Sequence, residues 1–504
     1  MLLLSLFKSL TEKPADPINT MDQTNDIGVK YTPDGINPKN ISVSDLSNLS
    51  VKFIRIQWTD LCNSIRFRVV PISYFKKLLD TARPGLSMSK CVLAVAFITV
   101  IPGFSTVGEY LYVVDPSTLR LCPYAPGHAV VFGHFQEKMP VLGPNGIKTV
   151  SVPICPRTIL ERIVQEAKDF YGIEFLVGIE IEFILLESVN PIVPANSHLW
   201  CDSMATAAGT VVAKVMDEIA EAILESGIEL QVYHSEATAG QYEVVTGPLP
   251  PMEAADAVIH TREIIYNIAS KHGLRATLAP RLDDHSCGSG SHTHISVHGN
   301  PVNHRNLGWY KEPSTADPEI LTRLESNFLA GLLDHLPAIT ALALPLRASY
   351  TRVADGIWSG GTYVAWGVDN REVPIRLCNA TSPTSRNFEV KSVDGTANPY
   401  TVLAGIIGAG MIGVDKGCEV QAKNCVGATT PADMNDEERK QMGIISRMPL
   451  SLDEATACLQ GDTQLRERLG DDMVETYLAL NKALDEEMGL GTETEVVSRL
   501  VTTY

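Results

Sequence analysis

The chain is short of several things, and each shortage excludes a class of function. Its ten cysteines run from Cys62 to Cys458 without a single Cys-x-x-Cys pair. In a chain of 504 residues that usage excludes a zinc ribbon and points to reduced, mostly buried thiols rather than a disulfide frame. Crossing a bilayer takes roughly 20 apolar residues. The opening Met1–Phe7 stretch is too short for that and lacks the features of a secretory leader. Cations are scarce: 41 Lys and Arg face 59 Asp and Glu, leaving a net charge of −18. A nucleic-acid partner needs clustered Lys and Arg, so none is expected. A small anion remains within reach, because a few arginines in a cleft outweigh the surface field. There is no Walker loop, kinase lysine motif, dinucleotide fingerprint or internal repeat. The expectation is a soluble, cytoplasmic protein with no membrane partner.

What is present is an ordinary globular composition, 45% hydrophobic and 20% charged, long enough for about two to four domains. Residues 1–45 read as a loose N-terminal extension, polar and rich in Pro, Asp, Thr and Asn between Leu10 and Asn40. Val51–Trp58 and Ile65–Val70 read as strands joined by a turn at Asp60–Ser64. Shorter apolar runs at Cys91–Ile101 and Tyr110–Val114 extend a β-rich first domain over 46–148, ending near the Pro/Gly-bearing stretch Met139–Pro153. From 149 to 504 the pattern changes to helices alternating with strands. Helices are predicted from Pro156 through Lys168, over Met204–Glu225, over Met252–His272, and from Asp317-Pro318 onward. Strand-like pieces lie at Leu176–Leu186, Gln241–Val245, Thr293–His298, Tyr363–Trp366 and Phe388–Val390, and the tail from Leu452 reads as helical.

The chemistry concentrates on those strands. In G-I-E-I-E-F-I-L-L (Gly178–Leu186), alternation puts Glu180 and Glu182 on one face and Ile179, Ile181 and Phe183 on the other. Like charges about 4 Å apart cost about 4 kcal/mol at an effective dielectric near 20, so a cation belongs between them unless the face is solvated. H-S-E-A-T-A-G-Q-Y-E adds Glu236 and Glu243 around a glycine turn. G-S-G-S-H-T-H-I-S puts His292, His294 and Ser296 on one face of a strand. R-N-F-E-V-K sets Glu389 inside another apolar strand. Carboxylates with an occasional imidazole suit Mg²⁺ or Mn²⁺ rather than structural zinc. Such ions best support phosphoryl transfer, and Arg352, Arg371 and Arg376 supply fixed cations in the right stretch.

With these segments in order, the chain resembles the glutamine synthetase family, in its long, type I-like branch that includes γ-glutamyl ligases. The resemblance runs from about Val51 to Leu480. It is carried by W-T-D-L-C-N-S-I-R-F-R-V-V-P (Trp58–Pro71), C-P-R (Cys155–Arg157), G-I-E-I-E-F, E-A-T-A-G-Q-Y-E, G-S-G-S-H-T-H-I-S, W-G-V-D-N-R-E-V-P-I-R (Trp366–Arg376) and D-G-T-A-N-P-Y (Asp394–Tyr400). It implies an α+β fold: a β-grasp N-terminal domain and a catalytic domain built on a curved antiparallel sheet with helices. It also implies stacked rings, dodecameric or decameric, with sites between neighbours. The activity implied is ATP-dependent activation of the glutamate γ-carboxylate as an acyl phosphate, displaced by ammonia or an amine, in glutamine biosynthesis or wider nitrogen metabolism.

Carried over residue by residue, Glu182, Glu236 and Glu243 would hold one Mg²⁺ or Mn²⁺, and Glu180, His292 and Glu389 a second, with roughly two to three ions per site in all. Arg371 and Arg376 would bind ATP phosphates, and Ser296 would lie near the nucleotide. Arg352 would clamp the glutamate carboxylate, and Gly288 would allow close backbone approach. Asp60 would reach in from a neighbouring subunit toward the amine.

Three positions depart from the family pattern. The flap glutamate that attracts ammonium falls at Trp358, the asparagine before Gly288 is Cys287, and a substrate arginine is Lys391. Lysine keeps the charge but not the planar two-point fork. The ligand and phosphate positions persist while the amino-acid and ammonia pockets change. The reading is therefore a ligase joining glutamate to an organic amine. Its rivals are glutamine synthetase proper, marked by ammonia as the best acceptor, and a non-catalytic ring-forming scaffold, marked by lost metal ligands. Guanidino-kinase chemistry is a third rival, separable by a guanidinium substrate. No adenylylation-type tyrosine segment is recognisable around Thr430–Glu437.

Overall fold

The computed structural model describes residues 27–36, 39–143, 146–282, 287–299, 308–315, 317 and 319–504. The fold is α+β. In its N-terminal part, Phe53–Thr59 pairs antiparallel with Ile65–Pro71 and parallel with His128–Val131, which pairs in turn with Arg120–Leu121. The helix Ile72–Leu79 follows the hairpin and buries Phe75 and Leu78. A second sheet runs Lys148–Ser151, Gly133–Leu142, Glu109–Val114, Gly85–Ser89. Alternating residues of these strands meet in an aromatic knot, where the rings of Tyr112 and Phe135 stand 4.6 Å apart and Trp58 and Tyr110 pack edge-on or tilted against them.

The large sheet carries the chemistry. Its main path is Leu230–Ser235, Gln241–Thr246, Ile173–Val189, Thr293–Gly299, Asn387–Val390, Ile375–Cys378 and Trp366–Val368, with two short strands added to the central one. All the pairs along this path are antiparallel except the last, Trp366–Val368 on Ile375–Cys378. The central strand is long enough, at 17 residues, to pair on one side through Ile173–Ile179 and on the other through Glu180–Ile184. Behind the sheet, the helices Arg323–Ala343 and Pro399–Lys416 cross closely, burying Phe328, Leu332, Leu336, Ile406 and Ile407 completely. Asn398 caps the second of these helices, accepting from the Tyr400 and Thr401 amides, while its own amide donates to the Asp60 carbonyl at 2.8 Å. The D-G-T-A-N-P-Y segment is thus a joint between the Asp60–Ser64 turn and the helical layer.

Several boundaries differ from the sequence expectation. The helix anticipated from Asp317-Pro318 begins at Arg323, because Thr322 and Glu325 form a reciprocal capping box. Pro318 itself lies outside the described residues. Met204–Glu225 is not one helix: a short turn at Ser203–Thr206 ends before Gly209, at φ +91, and the helix proper runs Val211–Glu225. Tyr363 makes only an isolated bridge to Arg447, and the strand there is Trp366–Val368. Part of the segment expected to be loose is docked, with Tyr31 bonded to Glu229 and the Ile41 amide donating to the Leu119 carbonyl at 3.0 Å. No helix of the described residues is long and apolar enough to cross a membrane.

Candidate active site

Cross-strand register assembles the site. Glu182 sits opposite Glu243, and Glu243 opposite His234 on the next strand. On the other side, His294 sits opposite Glu389, and Glu389 opposite Arg376. Side chains from facing positions lie within contact range, so residues as far apart in the chain as Glu182 and Glu389 converge on one face.

Two groups of donors result, each with its atoms within 4.8 Å of one another: Glu180, His294 and Glu389, and His234, Glu236 and Glu243. The expected ligands are all brought to this face, but the grouping shifts. His294 Nε2 is 3.0 Å from Glu180 Oε1, and His292 Nδ1 is 2.9 Å from Glu180 Oε2 and 3.5 Å from Glu389 Oε1. Glu182 is partly engaged, as its Oε2 accepts from the Gly290 amide at 2.9 Å and from Gln241 Nε2 at 3.0 Å. His234 takes its place in the second group, with Nε2 3.2 Å from Glu243. Sequence reasoning missed both His234 and His294 as donors. His294 shares the His292 face by alternation; His234 gives no such signal, because its partner is set by register.

The electrostatics fit a cation-binding face. Burial pushes the Glu243 carboxyl up to about 7, the hydrogen bond from His234 working against it and the charges of Glu180, Glu182 and Glu236 with it. Burial and the Glu182 charge also raise Glu236. His234 is pushed up to about 9 by its hydrogen bond to Glu243. At the other group, burial acts to raise Glu180, but His294 and His292 outweigh it and hold it well below the usual range. Glu389 behaves likewise, with Lys391 the main opponent of burial. Its Oε2 lies 2.6 Å from Arg376 Nε, yet it is buried without an aligned hydrogen-bond donor. An oxygen-rich, imidazole-containing donor set with a spare buried oxygen fits a hard divalent ion such as Mg²⁺ or Mn²⁺.

The remaining predicted residues divide. Arg352 is buried beside the cluster, with Nη2 3.3 Å from His292 Nε2. Gly288 and Gly290 are needed there: a Cβ on Gly288 would stand 2.4 Å from the Arg352 Cβ, and one on Gly290 2.7 Å from Arg352 Nη2. Lys391 is almost wholly buried and its ammonium is 3.2 Å from Glu389 Oε1, so its charge is engaged by that carboxylate. Ser296 and His294 line a cavity of about 520 Å³ that opens from Glu180. Arg376 lies inside the cluster, whereas Arg371 is exposed in the turn before Ile375–Cys378 and pairs with no described carboxylate. Cys287 is exposed at the start of the glycine-rich segment.

Asp60 is not brought to the cluster. It is fully buried within its own chain, accepting from the Cys62 and Ser64 amides and from Arg66 Nε at 2.7 Å. The turn it closes packs on Gly395, Asn398 and Tyr504, so within its own chain its carboxylate is bonded to the turn.

Trp358 is 56% exposed at φ +61, in a loop whose Gly356 and Trp358 amides both bind the Glu372 carboxylate. Its indole packs against Trp200, centroids 5.2 Å apart and tilted by 56°. Trp200 precedes Cys201, whose amide donates to the Ser235 carbonyl beside Glu236. The two indoles therefore join the loop after Arg352 to the segment flanking Glu236. Nothing in the sequence flagged Trp200, an isolated tryptophan in a polar loop.

A family model described as "Glutamine synthetase, catalytic domain" matches residues 153–495. Among curated proteins, the chain is similar to protein fluG of Emericella nidulans, 33% identical over 450 residues and covering 88% of this chain. The match covers 47% of that protein, so this chain spans about half its length. It is also similar to type-1 glutamine synthetase 1 of Dictyostelium discoideum, 29% identical over 475 residues and covering 89% of each. Gamma-glutamylpolyamine synthetase GlnA3 of Streptomyces coelicolor is 29% identical over 442 residues, covering 86% of this chain and 90% of that one. Among solved structures, a GmaS/ADP complex superposes with a TM-score of 0.72 at 22% identity, covering 90% of this chain and 98% of that one.

Proposed function

This chain belongs to the glutamine synthetase family, and from that premise we propose that it is an ATP-dependent ligase joining glutamate, through its γ-carboxylate, to an organic amine. ATP occupies the cavity beside Ser296 and His294 and gives its γ-phosphoryl group to the glutamate carboxylate. The amine then displaces phosphate from the acyl phosphate. Glu180, Glu389 and His294, with His292 at hand, would hold one divalent ion, and Glu236, Glu243 and His234, with Glu182 adjacent, a second. When bound, such ions neutralise charge on the transferring phosphate. Arg376 adds a fixed cation against Glu389, and Arg352, held by the glycines, fixes the glutamate. Assembly into stacked rings belongs to the same proposal.

The observation that carries the amine over ammonia is the Trp358–Trp200 pair. An indole offers ammonium no carboxylate, but two indoles joined through Cys201 to the segment before Glu236 offer an alkyl chain an apolar wall and a distal ammonium a π face. The polyamine-named relative from Streptomyces supports a similar acceptor here.

The test is ADP release by the purified protein with Mg²⁺, ATP and glutamate, comparing ammonia with mono-, di- and polyamines and weighing the products. A γ-glutamyl amide formed faster than glutamine is expected, with Trp358→Glu shifting preference toward ammonia by about tenfold or more. Glutamine as the dominant product would make the protein a glutamine synthetase proper. No turnover with any acceptor would favour a scaffold.

A further inference from the structure

The cavity of about 520 Å³ beside Glu180, His294 and Ser296 is within the ~300–1,000 Å³ typical of small-molecule sites. Two of its lining residues, Val29 and Tyr31, come from the segment before the first strand rather than from the catalytic sheet. That segment is anchored on both sides of the cavity. On one side the Tyr31 hydroxyl donates to Glu229 Oε1 at 2.5 Å and accepts from Gln231 Nε2 at 2.8 Å. On the other, Ser385 Oγ donates to the Ile27 carbonyl at 2.5 Å. Gly28, at φ +78, fits so closely there that a Cβ would stand 2.8 Å from Asn379 Nδ2. In the sheet these two anchor points, at Leu230–Ser235 and at the start of Asn387–Val390, are separated by the strands Gln241–Thr246, Ile173–Val189 and Thr293–Gly299. The segment therefore crosses the cavity as a strap.

The lining suits a nucleoside. Glu180, His294 and Ser296 make one part polar and anionic, whereas Val29, Leu176, Leu230 and Val245 give apolar surface and Glu229 and Gln231 give hydrogen-bonding groups. Val29 lines the cavity yet is 67% exposed, an apolar residue in a segment otherwise tied down. The Tyr31 phenol is pushed up to about 12 by burial and by its bond to Glu229, so it stays neutral and keeps that bond throughout the physiological range.

We propose that Ile27–Tyr31 is part of the nucleotide-binding site, with Val29 packing on the base and Tyr31, keyed to Glu229 and Gln231, holding the strap at the height that fits it. This rests on the reading that the cavity takes ATP. The measurement is ADP binding in the presence of Mg²⁺ by calorimetry on the full-length protein, for the parent, Val29→Ser and Tyr31→Ala, together with the KM for glutamate. Tyr31→Ala is expected to weaken ADP binding about 5- to 20-fold and Val29→Ser about 3-fold or more, with the KM for glutamate within about twofold of the parent. Both variants binding ADP as the parent does would overturn the proposal. Tighter binding in either would show that the segment obstructs the cavity, and would overturn it equally. A parent that binds no ADP would remove the ATP reading itself, which separates the two failures.

Discussion

At Glu389 three cationic or proton-bearing groups converge on one carboxylate that is 1% exposed: Arg376 Nε at 2.6 Å, Lys391 Nζ at 3.2 Å and His292 Nδ1 at 3.5 Å. Buried charges of this kind hold one another in the ionised form, and removing one leaves the rest uncompensated, at about 3–5 kcal/mol. Glu389→Gln is therefore expected to lower the thermal unfolding midpoint. It should also abolish activity, by about 100-fold or more given that even groups behind a metal ligand are worth about 10- to 100-fold. The two effects separate with metal. A bound ion stabilises the folded state by mass action, so added Mg²⁺ should raise the midpoint of the parent and not of the variant. An equal rise in both would sink the assignment of Glu389 as a ligand. This residue also shows what the sequence made legible. Glu389 stood out as a carboxylate in an apolar strand, and Glu180 and Glu182 stood out by alternation. That His234 answers Glu243 was not legible, because such partners are chosen by cross-strand register and rotamer rather than by spacing along the chain. The bonds that Asp60 makes to its own turn were not legible either, since a conspicuous Asp before a turn looks the same whether it serves the turn or a substrate.

Among the elements, the crossing of Arg323–Ala343 with Pro399–Lys416 depends on two glycines facing each other. A Cβ on Gly413 would lie 2.1 Å from the Asn327 carbonyl and 2.6 Å from the Gly331 amide, and one on Gly331 would lie 2.3 Å from the Ala409 carbonyl. Alanine would raise intrinsic helix propensity by about 1 kcal/mol, but the atoms met are backbone and cannot rotate away, so overpacking at about 1–3 kcal/mol wins. Gly413→Ala should lower the unfolding midpoint, whereas Gly461→Ala, where a Cβ meets nothing within 4 Å, should leave it unchanged or raise it. Denaturation followed by circular dichroism distinguishes them, and a Gly413→Ala protein as stable as the parent would mean that the helices separate freely. Element boundaries were legible where stop signals are strong, as at the end of the helix expected over Met252–His272, where Pro251–Lys271 is followed by Gly273 at φ +75. At the start of Arg323–Ala343 two signals competed. Asp317-Pro318 resembles a cap followed by a first-turn proline, but the Thr322–Glu325 box satisfies two amides reciprocally and sets the boundary five residues later.

Over the whole molecule, acid stability is a contest among buried titratable groups, and His260 is the one with the clearest sign. It is fully buried on the helix Pro251–Lys271, Nε2 3.0 Å from Ser226 Oγ, with the Tyr124 ring 6.0 Å away and the guanidinium groups of Arg120 and Arg55 in its field. Burial first, and Arg120 next, hold its imidazolium form down to about 3. The unfolded chain binds that proton near pH 6.5, so the contribution of a neutral His260 is complete above 6.5. It is lost as the pH falls toward 3, at about 1.4 kcal/mol for each pH unit. Buried carboxylates work the other way: desolvation raises Asp60, Glu263 and Asp394, so their protonation favours the folded state as the pH drops through the acid range. The parent's own pH profile mixes these signs, and the difference between proteins isolates one of them. His260→Gln should be less stable than the parent at pH 7.5, where only its lost packing counts. That deficit should shrink by about 1.4 kcal/mol for each pH unit below 6.5, because glutamine has no proton to refuse. Unfolding midpoints for both proteins between pH 7.5 and 4.5 supply the comparison, and parallel profiles would show that His260 is protonated in the folded state as readily as in the unfolded one.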